Sequence, residues 1–274
     1  MTTVAYLGPP GTFTEEAALL YAKEHELVPM PSISAVAAAV LAGMADEGVV
    51  PIENSLEGSV PETLDVLIHE EGLYIRREFV LPIEHHLLVR PGTCPSDIQV
   101  VYSHPQALGQ CRRFLERCFP KAQVVAALST AAAVEEMMAQ EGAAAIGTLR
   151  AARIYGAEVL ARSIQDRQPN LTRFVALARE DHPPTGHDKT SLAFAFAVED
   201  RPGLLVGALK EFSSRSINLT KIESRPTGDK LGAYIFLADV DGHRTDPPVA
   251  EALEAISAQC SFLRILGSYP KWQP

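Results

Sequence analysis

The first 180 residues alternate short apolar runs with stretches whose apolar positions recur at helical spacing, the pattern of a mostly parallel sheet joined by crossover helices. Val4 to Gly8 reads as a strand, and Thr12-Phe13-Thr14-Glu15, a Thr with Glu three residues on, predicts a helix running to about Glu24. A helix over Ser34 to Met44 leads into a strand through Gly48 to Glu53. Ser59-Val60-Pro61-Glu62 repeats the Ser-x-x-Glu signal with an early proline. Leu73 to Val89 is one long extended stretch. The alternation then resumes with a strand over Gln99 to Ser103 and a helix with Pro105 at its first turn and Leu108, Cys111, Arg112 and Leu115 along one face. Gln123 to Leu128, Thr130 to Gln140, Ala143 to Gly147, Leu149 to Tyr155 and Leu171 to Ala178 follow as strand, helix, strand, helix and strand.

Arg179 to Lys189 is polar, rich in turn formers and without apolar period, which marks a linker and a domain boundary. Beyond it Leu192, Phe194, Phe196 and Val198 alternate with small residues, as in a half-buried strand. Leu204, Leu205, Ala208, Leu209 and Phe212 then switch to helical spacing. Two strands, Ile217 to Arg225 and Leu231 to Val240, flank a turn at Pro226-Thr227-Gly228-Asp229. Asp246-Pro247-Pro248 starts a helix with Val249, Leu253, Ile256 and Cys260 on one face, and Phe262 to Leu266 closes as a strand. The order βαββαβ is ferredoxin-like, which by itself names no function.

Composition narrows the class. The 274 residues are 47% hydrophobic and 21% charged, ordinary for a folded chain of one large or two smaller domains. With 24 Lys+Arg against 34 Asp+Glu the net charge is -10, so the basic field that nucleic-acid binding requires is missing and no nucleic-acid partner is expected. No basic leader and no run of 18 apolar residues is found, so a cytoplasmic location without membrane contact is expected. The cysteines at 94, 111, 118 and 260 have no metal or disulfide spacing, and the eight histidines form no metal motif, so no metal is expected. Adjacent His85 and His86 point to opposite faces if they lie in a strand.

Four motifs carry more. Gly8-Pro9-Pro10-Gly11-Thr12-Phe13-Thr14, Pro51-Ile52-Glu53-Asn54-Ser55, Ser103-His104-Pro105-Gln106-Ala107-Leu108-Gly109-Gln110-Cys111 and Asn170-Leu171-Thr172-Arg173-Phe174 together resemble prephenate dehydratases. Gly207-Ala208-Leu209 and Glu223-Ser224-Arg225-Pro226 resemble the ACT regulatory domain that follows that catalytic domain. The resemblance implies an α/β, bilobed, periplasmic-binding-protein-like catalytic domain over 1–180, with lobe 1 at about 1–77 and 169–180 and lobe 2 at about 78–168. A linker over 181–189 and a ferredoxin-like ACT domain over 190–274 would follow. Because the first strand begins at Val4, a monofunctional enzyme without an added chorismate mutase is implied.

The implied reaction expels carbon dioxide and water from prephenate to give phenylpyruvate, with no metal or organic cofactor. It asks for holders of two carboxylates and a donor to the departing hydroxyl. In a chain of charge -10 the local positive potential would come from helix N-termini after Gly11-Thr12 and Ser103-His104. The resemblance assigns Thr172 to the leaving hydroxyl, with Asn54, Ser103, Gln110 and Glu53 as further catalytic candidates. Thr12, Ser55, Arg173, Phe174, Thr148 and His104 are the substrate-binding candidates. Asn54 and Ser55 also suit a turn, and His104 also suits a helix cap. Leu128 departs from relatives that carry an acid before the Ser-Thr found here at Ser129-Thr130. At the ACT domain, Gly207, Ala208, Leu209, Asn218, Leu219, Glu223, Ser224 and Arg225 are the candidates for binding L-phenylalanine as feedback inhibitor, although Lys210 replaces an aliphatic residue. A homodimer or homotetramer is implied. Two other readings stay open: an arogenate dehydratase, and a non-catalytic small-molecule sensor.

Overall fold

The structure is a computed structural model that describes residues 2–196, 202–227 and 233–273. Val198, Gly228, Asp229 and Leu231, which the sequence places in a strand, a turn and a second strand, lie outside the described residues. In chain order the first lobe contains β1 (Thr3–Leu7), α1 (Phe13–Tyr21), β2 (Glu26–Met30), α2 (Ile33–Leu41), β3 (Glu47–Asn54), β4 (Gly58–Ser59), α3 (Pro61–His69) and β5 (Tyr74–Pro82). The second contains β6 (His86–Val89), β7 (Val100–Ser103), α4 (Pro105–Gln110), α5 (Arg112–Cys118), β8 (Gln123–Ala126), α6 (Thr130–Ala139), β9 (Ala143–Gly147), α7 (Leu149–Tyr155) and β10 (Glu158–Ala161). The chain then returns as β11 (Leu171–Ala178) and enters the C-terminal domain of β12 (Asp188–Phe196), α8 (Leu204–Ser213), β13 (Leu219–Pro226), β14 (Tyr234–Asp241), α9 (Pro247–Ser257) and β15 (Cys260–Pro270).

Three sheets result, ordered β2-β1-β3-β11-β5, β10-β6-β9-β7-β8 and β13-β14-β12-β15. The two lobes are therefore separate sheets joined by two crossing segments, as expected, but the outward crossing lies after Pro82 and not near residue 78. The correction follows from pairing: β5 runs antiparallel to β11 as far as Pro82 opposite Leu171, so the long extended stretch is two strands in two sheets. The crossing segments are tied together where Ile83 N–H donates to the Asn170 carbonyl at 2.8 Å and Ile164 N–H to the His85 carbonyl at 2.8 Å.

Local chemistry accounts for the helix starts. Thr12, Ser32, Ser129 and Thr148 each accept a backbone N–H from their own first turn and so cap α1, α2, α6 and α7. Two expectations shift. Glu15 takes the N–H of Gly11, not Thr12, at 2.7 Å, and α3 is capped by Val60 without a side-chain bond because Ser59 spends its hydroxyl on Glu223 and Lys221 of the C-terminal domain. The predicted helix from Pro105 breaks at Cys111 into α4 and α5, and β12 starts at Asp188, inside the expected linker.

The C-terminal sheet lies with one face on α8 and α9 and the other on the first lobe. Leu192, Phe194, Ala238 and Val240 face the helices, while Ala193, Leu237, Leu266 and Tyr269 join Val175, Leu177 and residues of α2 and α3 in one apolar core. Strand alternation separates the two sets. At Gly267 (φ +148°) the β15 backbone approaches β5 so closely that a Cβ would sit 2.2 Å from the Ile75 carbonyl oxygen. Among the described residues no helix is long and apolar enough to cross a membrane.

Candidate active site

A cleft of about 750 Å³ opens between the lobes, walled by the ends of β1, β2 and β3, by β11, and by the starts of α1, α4 and α6. Among the described residues lining it there is no Asp, Glu, Lys or Arg, and its titratable groups are His85 and His104. Three helix N-termini reach its wall, and the first N–H groups of a helix have no partner inside it. Two of them, at Thr12 and His104, lie where the sequence places helix starts at the cleft. The third, α6 at Ser129-Thr130, is an addition.

At the base of the cleft lies a chain of neutral side chains. Asn54 Nδ2 donates to Thr172 Oγ1 at 2.9 Å and to Asn170 Oδ1 at 2.8 Å, while Asn54 Oδ1 accepts the N–H groups of Leu56 and Glu57 at 2.9 and 3.1 Å. The turn therefore fixes which way the amide points. Asn54 serves the turn with its oxygen and reaches Thr172 and Asn170 with its nitrogen. Thr172 Oγ1 accepts from Asn54, which leaves its own O–H proton to donate to something else in the cleft.

Asn170 Nδ2 continues the chain to Gln110 Oε1 at 2.9 Å, where His85 Nε2 also lies at 2.9 Å. Gln110 Nε2 donates to the Glu57 carboxylate at 3.2 Å, so its oxygen must be the atom facing Asn170 and His85. His85 is thereby the donor through Nε2, and its buried Nδ1 has no partner. Burial holds the His85 imidazole below the usual histidine range against the pull of Gln110, with His86 adding to the depression. The ring packs edge-on against Phe13, 5.6 Å between centroids. His86 turns away to accept the N–H of Ser163, as alternation requires. His104 both lines the cleft and caps α4, its Nδ1 accepting from Gln106 N–H at 3.3 Å; burial lowers its pKa too.

Residues 4–182 match the prephenate dehydratase family, and residues 195–258 match the ACT domain. This chain belongs to the prephenate dehydratase family. Prephenate dehydratase of Mycolicibacterium vanbaalenii is 43% identical, with 98% of this chain and 91% of that one covered. A bifunctional chorismate mutase/prephenate dehydratase of Aquifex aeolicus is 44% identical over 98% of this chain and 73% of its own. Among solved structures, prephenate dehydratase of Arthrobacter aurescens in complex with L-Phe is 40% identical with a TM-score of 0.89, over 98% and 90% of the two chains. A protein described as a quorum-quenching acylase, GqqA, shares the fold at 32% identity and a TM-score of 0.87, covering 98% of each chain.

Of the family candidates, Thr172, Asn54, Gln110, Thr12 and His104 are brought together in this one cleft. Several others are placed elsewhere. Ser103 is buried and donates to the Ile146 carbonyl at 2.8 Å, and Ser55 accepts the N–H of Leu171, tying β3 to β11. Thr148 donates to the Gly11 carbonyl at 2.8 Å and lines a groove on the other side of the hinge, so it joins the lobes and does not face the cleft. Phe174 packs on Phe79 in the core. Glu53 and Arg173 form an ion pair on the opposite face of the sheet, because alternation turns each of them away from its neighbours Asn54 and Thr172.

In the ACT domain, Gly207 is open to its surroundings, a Cβ there meeting nothing nearer than Gln259 Oε1 at 3.7 Å. Asn218 is exposed and donates to Asp241, Ala208 is buried in the domain core, and Leu209, Leu219 and Ser224 lie on α8 and β13. Glu223 and Arg225 face the first lobe, Glu223 accepting from Ser59 and Arg225 pairing with Asp65 at 2.9 Å. Asn170, His85 and Glu57 were not among the expected site residues. Asn170 stood inside the quoted motif, but the two others needed the hinge geometry to reveal them.

Proposed function

We propose that the cleft converts prephenate to phenylpyruvate, carbon dioxide and water. The observation that carries this is Thr172: its oxygen accepts from Asn54, its own proton is left to donate, and it faces a cleft lined by helix starts and by no Asp, Glu, Lys or Arg among the described residues. Prephenate brings two carboxylates, for which the starts of α1 and α6 are suited holders. As carbon dioxide leaves, its bonding electron pair moves through the ring and expels the hydroxyl, which takes up one proton from solvent and departs as water. Thr172 donates a hydrogen bond to that oxygen as negative charge develops on it, a role easier for an alcohol than full proton transfer. His85 donates through Nε2 to Gln110 and so orients the chain of amides.

Arogenate carries an ammonium where prephenate carries a keto oxygen. The described lining residues include no carboxylate to receive it, and the Glu57 carboxylate beside them already accepts from Gln110 Nε2, which supports the keto acid. The ACT domain is proposed to bind L-phenylalanine as feedback inhibitor near Gly207 and Asn218 in a homo-oligomer, supported by the family match and by the relative solved with L-Phe. The test is ultraviolet detection of phenylpyruvate from prephenate with and without L-phenylalanine and, side by side, chromatographic detection of phenylalanine formed from arogenate with none added. Turnover of prephenate, inhibited by phenylalanine, is expected; turnover of arogenate alone would overturn the substrate assignment.

A further inference from the structure

Thr172 is registered opposite Asn54, and Arg173 opposite Glu53. The first pair faces the cleft and the second faces the ACT sheet, so one step along each strand leads from the reacting hydroxyl to the domain interface. There the Arg173 guanidinium touches three carboxylates: Glu53 at 3.0 Å, Glu78 of β5 at 3.1 Å and Asp239 of β14 at 2.9 Å. Its side chain is 12% exposed. Asp239 is itself held by Ser191 Oγ of β12 at 2.6 Å, and Lys189 Nζ donates to both oxygens of Glu78 at 2.7 and 2.8 Å. Lys221 of β13 reaches Glu53 at 3.5 Å.

A buried ion network is a weak source of stability, because taking charges out of water offsets much of their attraction. What it does supply is one geometry. The planar, forked guanidinium meets carboxylates from three different strands, two in the catalytic lobe and one in the ACT domain, and a lysine ammonium has no such fork. We propose that Arg173 is a positioning residue, clamped by Asp239 of the ACT sheet so that Thr172 on the next position of β11 is held at the leaving oxygen. Turnover then depends on how the ACT domain is seated, and an effector or a partner copy that shifts β14 acts on kcat more than on substrate binding at the helix N-termini.

This rests on the reading that Thr172 serves the departing hydroxyl, so wild-type turnover of prephenate is measured first; its absence defeats that reading before any variant is compared. Asp239→Asn in the full chain keeps shape and the bond from Ser191 but removes the charge. Its kcat is expected to fall about tenfold, as small misplacements of a reacting group do, with KM within about twofold of wild type. In the Thr172→Ala background the same substitution is expected to change kcat by less than about twofold, since the group it positions is gone. Ser191→Ala, which loosens Asp239 without removing a charge, is expected to lower kcat about threefold at constant KM and serves if Asp239→Asn does not fold. An equal loss of kcat in both backgrounds, a change confined to KM, or unchanged kinetics in an active wild type would overturn the proposal.

Discussion

Thr172 shows how little of a residue's role its type discloses. A threonine in a strand is unremarkable, and only the Asn54 amide, held in orientation by two backbone N–H groups, shows that its proton is free. Thr172→Ala loses one hydrogen bond, worth about 1 kcal/mol of stability, whereas removal of a donor to developing charge costs about 10² to 10³ in rate. A kcat lower by that factor with a Tm near wild type is the expected outcome of paired kinetic and thermal-melt measurements. His85, His86 and His104 all have pKa values depressed mainly by burial. The unfolded chain, titrating near 6.5, then binds more protons than the folded one, so stability present above about pH 6.5 is lost as pH falls through the lowered folded values. Melting curves from pH 7 to 5 should show this decline, and His85→Gln should make it shallower.

At the scale of elements, most of the chain was legible because periodicity and caps agreed. The exceptions have physical causes. Leu73 to Val89 read as one extended stretch because nothing in its composition marks the change of sheet at Pro82 to His85; the pairing of β5 with β11 decides it. Arg173 and Glu53 read as cleft residues because motif spacing does not tell which face of a strand points where. Ser59 read as a helix cap, but a contact from 162 residues away took its hydroxyl. The N-terminus of α6 is proposed to hold a substrate carboxylate, so Ser129→Ala should cost about 1 kcal/mol of stability and raise KM with little change in kcat. Gly267 sets how β15 meets β5. A Cβ there would fall on Ile75 backbone atoms at 2.2 and 2.7 Å, so Gly267→Ala should lower the Tm strongly and expose the segment between β11 and β12 to limited proteolysis.

At the scale of the whole molecule, three sheets are arranged so that the first-lobe sheet meets both the cleft and the ACT domain. One face of the first-lobe sheet carries Thr172 and Asn54 at the cleft, and the other carries ion pairs and the apolar contact to the ACT domain. The lobes meet through neutral and charged links, Thr148 to Gly11 and a two-pronged Arg150–Glu15 pair at 3.0 and 3.1 Å. None of these long-range contacts could be read from the sequence, which carries periodicity within an element but not the register between domains. The net charge of -10 is reconciled with a dianionic substrate by helix ends lining an uncharged cleft. The central claim is tested most directly by following phenylpyruvate absorbance with prephenate as substrate, for the wild-type chain and Thr172→Ala under identical conditions. Rapid formation by the wild type and a loss of about 10² or more in the variant is the predicted result; equal rates in the two, or no phenylpyruvate from the wild type, would contradict it.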